Sequence, residues 1–122
     1  MSSSALLDEG NILVDDLVNL ITTQYSNDDF AVISSGPSGR QLAEKTRGEI
    51  DPSLLIMARQ LILQATEKQQ AGVPFSRITI ILIKNASYLE GVITIVGIYV
   101  NSQIKAALEA YFRTRNRNLV FN

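Results

Sequence analysis

Ile78-Thr79-Ile80-Ile81-Leu82-Ile83-Lys84, then Asn85–Gly91, then Val92-Ile93-Thr94-Ile95-Val96-Gly97-Ile98-Tyr99-Val100 is the stretch that decides the fold. Five of the first seven residues and seven of the last nine are β-branched. Such residues lose χ1 freedom in a helix and pack well on a pleated sheet. The polar segment between the two runs supplies a connection, so residues 77–100 read as a β-hairpin. A pair of buried helices is the competing reading, because periodicity alone does not separate short apolar runs. Ile78, Ile80 and Leu82 alternate with Ile81 and Ile83, and Val92, Thr94 and Val96 with Ile93 and Ile95. Both faces are apolar, and such strands need cover on both sides.

Upstream, Asp51-Pro52 opens a helix, with Asp51 as N-cap and Pro52 at the first helical position. Leu54, Ala58, Leu61 and Ala65 form its stripe, flanked by Leu55 and Ile62, and Gly72 marks its stop. Residues 5–25 read as an amphipathic helix through Leu6, Leu13, Leu17 and Leu20, capped by Ser3 or Ser4 and weakened at Gly10 and Asn11. Phe30–Ile33 reads as a short strand. Arg40–Arg47 reads as a short helix capped by Ser38. Downstream, Ser102 caps a helix running to about Arg115, with Ile104, Ala107, Leu108, Tyr111 and Phe112 on its apolar side. The expected architecture is α+β: a small, mostly antiparallel sheet covered by three or four helices, with an all-α arrangement as the alternative. The 122 residues suit one domain, with tails at 1–4 and 116–122.

The missing residue types exclude several chemistries. With no Cys and no His there is no Ser-His-Asp triad, no Cys-His dyad, no thiolate redox centre and no ordinary zinc site. Asp15-Asp16 are adjacent on a helix and do not face one another. Asp28-Asp29 fits a polar turn, and no calcium-loop spacing is present. Ser34–Gly39 is a turn-rich loop in which Gly36, Ser38, Gly39 and Arg40 resemble an anion cradle at a helix start. It lacks the lysine and the spacing of a phosphate loop. No catalytic residue, cofactor or metal is expected, so the chain reads as a non-enzyme.

Charge is unevenly spread although the net value is −1. Residues 1–39 hold six acids (Asp8, Glu9, Asp15, Asp16, Asp28, Asp29) and no base. The remaining chain carries all eleven bases and six acids. The uninterrupted apolar runs are too short to span a bilayer, which takes about 20 residues, and a cytosolic or host-cell interior location is the default. The leading expectation is a structural or protein-interaction subunit that self-associates or sits in a larger complex, such as a virion, phage tail or secretion machine. The expected interface comprises Ile78, Ile80, Leu82, Ile93, Ile95, Tyr99, Tyr111, Phe112, Arg113, Arg115 and Arg117. In that reading the ribbon finds too little shelter within one chain. The acidic first helix of one copy then meets the C-terminal arginines of the next, closing a ring or extending a filament. The alternative is a small nucleic-acid-binding or regulatory domain using Arg40 and the C-terminal arginines, with Arg59, Lys84 and Lys105 as further bases and Tyr111 and Phe112 as stacking rings.

Overall fold

A computed structural model of the chain describes residues 3–25, 28–71 and 77–121, and for residues 3–9 the backbone alone. The element order is α1 (Ser3–Gln24), β1 (Phe30–Ser35), β2 (Gln41–Arg47), α2 (Pro52–Lys68), β3 (Ile78–Asn85), β4 (Tyr88–Val96), α3 (Ser102–Arg113) and β5 (Asn118–Val120). The five strands form one antiparallel sheet in the order β2-β1-β4-β3-β5. The fold is α+β, and the hairpin is present.

Its turn is tighter than the seven residues the sequence implied. Asn85 pairs with Tyr88, leaving Ala86 and Ser87 as the loop, with Ala86 at φ +54°. A positive φ at the first loop residue matches the twist of the flanking strands. Residues 88–91 therefore belong to β4, and a register shift between Ile83 and Lys84 absorbs the mismatch.

Position in the sheet explains the two-faced apolar pattern. β4 lies in the middle, flanked by β1 and β3. Val14, Leu17, Val18 and Ile21 of α1 and Ile104, Leu108 and Phe112 of α3 cover one face, meeting Phe30, Val32, Ile81, Ile83, Ile93 and Ile95. Ala58, Ile62 and Ala65 of α2 cover the other, meeting Ala31, Ile33, Ile78, Ile80, Leu82, Val92 and Val96. Every residue of Val92–Val96 is at most 1% exposed. Each buried isoleucine stabilises this core by roughly 1.5–3 kcal/mol. The expectation that the ribbon lacks shelter is thus corrected: three layers within one chain roof both of its faces.

Several local expectations are also corrected. Residues 41–47 form strand β2, not a helix, although Gln41, Leu42, Ala43, Glu44 and Lys45 are good helix formers. An isolated helix of about eight residues is marginal, whereas pairing with β1 from Phe30↔Arg47 to Ser34↔Ala43 adds a full ladder. Glu44, Lys45 and Arg47 then serve as charges that blunt a sheet edge. Residues 118–120 are not tail but β5, paired with Leu82–Lys84. Of the expected tail at 1–4, Met1 and Ser2 lie outside the described residues, while Ser3 and Ser4 belong to the backbone of α1. Three helices occur among the described residues, within the expected three or four.

Helix ends follow capping chemistry. Asp51 Oδ1 accepts from the backbone N–H of Ser53 at 2.9 Å, with Pro52 behind it, as read from the sequence. α2 stops at Gln69, whose left-handed backbone (φ +51°) lets the N–H of Gln70 reach the carbonyl of Ala65 at 3.1 Å. The expected stop at Gly72, and Val73-Pro74 after it, lie outside the described residues, as do the side chains of Ser3, Ser4, Leu6 and Leu7. α3 is capped by Asn101, not Ser102: Asn101 Oδ1 accepts from the N–H of Ile104 at 2.9 Å. Gly10 does not split α1. A Cβ there would stand 3.3 Å from that of Leu42, so the missing side chain lets the helix settle closely on β2.

Candidate interaction surface

The expected interface residues separate into two groups. Ile78, Ile80 and Leu82 lie beneath α2, and Ile93, Ile95 and Phe112 lie in the core under α1 and α3, all at most 3% exposed. In the folded chain none of the six presents a surface, because the helices that follow and precede the ribbon pack onto it. Tyr99 is exposed, in the connection between β4 and α3. Arg113, Arg115 and Arg117 are at the surface at the end of α3 and just beyond it.

Charge contacts fold back within the molecule. Asp15 pairs with Lys45 at 2.6 Å across α1 and β2. Tyr111 Oη donates to Asp16 Oδ2 at 2.8 Å, tying α3 to α1. Arg115 lies over the Tyr111 ring at 3.8 Å, donates to the Tyr111 carbonyl at 3.1 Å and stands 3.9 Å from Asp16. Arg117 Nε donates to Glu90, and Nη1 to the carbonyl of Arg115 at 2.8 Å. The meeting of first-helix acids with C-terminal arginines, expected between copies, is made inside one chain. Such exposed pairs are worth little each, typically under about 1 kcal/mol.

Tyr111 has the one strongly displaced ionisation among the described residues. Burial, and then its hydrogen bond to Asp16, push the phenol up to about 12, with Arg115 opposing. Because the folded-state value lies above the unfolded one, the contribution is fully present below about pH 10 and is lost as pH rises toward 12. Tyr111→Phe should remove one hydrogen bond at a cost of about 1 kcal/mol. It should also flatten the fall in stability between pH 10 and 12, measured by urea unfolding across that range.

The Gly36, Ser38, Gly39, Arg40 loop is the turn of the β1–β2 hairpin and opens no helix. Gly36 N–H donates to the Arg40 carbonyl at 2.9 Å and Gly39 N–H to the Gly36 carbonyl at 3.0 Å. Two of the loop's amides are thus used by the turn itself, and the expectation that the loop opens a helix is corrected. Gly39 is required there for its φ of +90° and its closeness to Leu63 and Thr66 on α2.

Two clefts flank the sheet at its opposite ends. One, of about 640 Å3, lies among Tyr25, Asp28, Asp29, Glu49, Asp51, Arg77 and Tyr99. Asp29 there accepts from the N–H of Glu49 at 3.2 Å, and the Asp28 carbonyl accepts from Arg47 at 3.1 Å. Among the described residues no group of three or more carboxylates is placed to hold a metal ion. The other cleft, of about 710 Å3, lies between α1 and the end of α3, over Ser34 and Gly91.

The feature missed in the sequence is the outward side of α2. Ala58, Ile62, Ala65 and Thr66 are buried, yet Ile56 and Leu63 are 55% and 56% exposed, with Met57 beside them. From Ser53 to Thr66 the one charged residue is Arg59, which is already held by Gln41 Oε1 at 3.2 Å and Glu44 Oε1 at 2.9 Å. The signal was legible: Leu54-Leu55-Ile56-Met57 and Leu61-Ile62-Leu63 make the helix apolar nearly all round, more than one buried stripe requires. Among the described residues no helix is long and apolar enough to cross a membrane. No protein-family model matches the chain, and no curated protein matches it.

Proposed function

We propose that this chain is a non-enzymatic assembly subunit that self-associates, alone or within a larger complex, through the outward side of α2. The observation that carries the reading is the pair Ile56 and Leu63, half-exposed one above the other on a stretch with no free charge. Interface centres are depleted in charge, more apolar than their rims and enriched in Met. α2 is also the one helix on its face of the sheet among the described residues, so no neighbouring helix flanks its outer side. The ribbon contributes by holding α2 rigidly in place, not by contacting a partner. Of the bases that a nucleic-acid reading would use, Arg115 and Arg117 are engaged with Asp16, Glu90 and backbone carbonyls, which favours the assembly reading.

Light scattering on a sizing column over a dilution series tests this. The unmodified chain should run as a concentration-dependent oligomer. Ile56→Glu combined with Leu63→Glu should run as a monomer and, at dilutions where the parent is also monomeric, unfold within about 0.5 kcal/mol of it, as surface changes usually do. A parent that stays monomeric at every concentration would overturn the proposal.

A further inference from the structure

We infer that the cleft between α1 and the end of α3 binds a neutral, apolar small molecule carrying one hydroxyl or carbonyl group. Its volume of about 710 Å3 is of the size that holds such ligands. The sheet beneath it is bare at two neighbouring positions. Gly91 on β4 projects nothing into the cleft, and a Cβ there would stand 2.6 Å from the carbonyl oxygen of Ser35, so a larger residue does not fit. Ser34 on β1 carries only its short side chain. Leu13, Leu42, Ile83 and Phe112 supply apolar walls.

Ser34 gives the cleft a polar anchor. It is 3% exposed and lies opposite Ala43 and Ile93, both in the core beneath α1 and α3, so its side chain stands on that same face. Among the described residues its hydroxyl has no hydrogen-bond partner. A hydroxyl buried to this degree is ordinarily satisfied, and a ligand's hydroxyl or carbonyl in the cleft would satisfy this one. Ser35 is buried and unpaired too, but it lies opposite Val92, on the face under α2.

The charges at the mouth select a neutral ligand. Asp16 accepts from Tyr111 and stands 3.9 Å from Arg115, while Arg117 donates to Glu90. The two acids and two bases cancel, and an ion entering between them would have to break one of these contacts. Ile12, exposed on α1 at the rim, adds apolar surface there.

Equilibrium dialysis with three probes of one shape tests this: 2-naphthol, naphthalene and 2-naphthoate. 2-Naphthol should bind saturably, several-fold more tightly than naphthalene, the difference that one hydrogen bond makes. 2-Naphthoate should bind least. Ser34→Ala should lower the affinity for 2-naphthol to that for naphthalene and leave naphthalene unaffected. Ile56→Glu combined with Leu63→Glu should leave all three affinities unchanged, since α2 lies across the sheet from the cleft. No saturable binding of 2-naphthol, binding indifferent to Ser34→Ala, a preference for 2-naphthoate, or loss of binding in the α2 variant would each overturn the inference.

Discussion

Ile95→Asp is expected to abolish the cooperative unfolding transition. Ile95 is 0% exposed in the middle strand, paired with Val32 on one side and Thr79 on the other. Its side chain faces the apolar core under α1 and α3, where the buried Thr79 lies opposite it and no basic residue belongs to the cluster. Aspartate there forfeits about 2–3 kcal/mol of apolar burial and adds several more for a carboxyl without a partner. Against a typical total of about 5–15 kcal/mol, that is most or all of the stability. Circular dichroism during heating checks it. A sigmoidal melt within a few degrees of the parent would show that β4 is not the centre of the sheet.

Gly97→Ala is expected to be the most damaging addition of a single methyl group. Gly97 follows β4 with φ +108°, and its N–H donates to the carbonyl of Arg77 at 2.7 Å. A Cβ at this position would sit 2.8 Å from the carbonyl oxygen of Asp29 and 3.2 Å from Cα of Phe30. Both are backbone atoms at the start of β1, so neither can rotate away. Left-handed strain costs on the order of 1–3 kcal/mol, and overpacking adds a similar amount. The melting temperature should fall by roughly 10 °C or more. An unchanged melt would mean that the β4–α3 connection does not press against β1 as described.

These two positions also mark what the residues disclosed. β-branching identified the hairpin, and Asp51-Pro52 identified the start of α2, because both signals are local. Cover for the ribbon was misjudged since it depends on strand order, which is set by long-range pairing. Once β1 pairs with β4, a sheet of five strands divides three helices between its two faces. The segment 41–47 was misread for the same reason: its helix-forming residues are overruled by a partner strand. Asp16, Tyr111 and Arg115 were each noted, but their convergence depends on α1 and α3 lying side by side on one face. The outward side of α2 was readable in principle, since Ile56, Met57 and Leu63 exceed what a single buried stripe needs. Attention to a wide apolar ribbon drew the interface to residues that the chain buries by itself.

Amide hydrogen exchange, followed as the protein is diluted, separates what the chain shelters alone from what a second copy covers. Protection at residues 55–67 should rise with concentration, while that of 78–83 and 92–96 stays constant and high. Protection of α2 that ignores concentration, or a ribbon whose amides become shielded only in concentrated solution, would contradict the account.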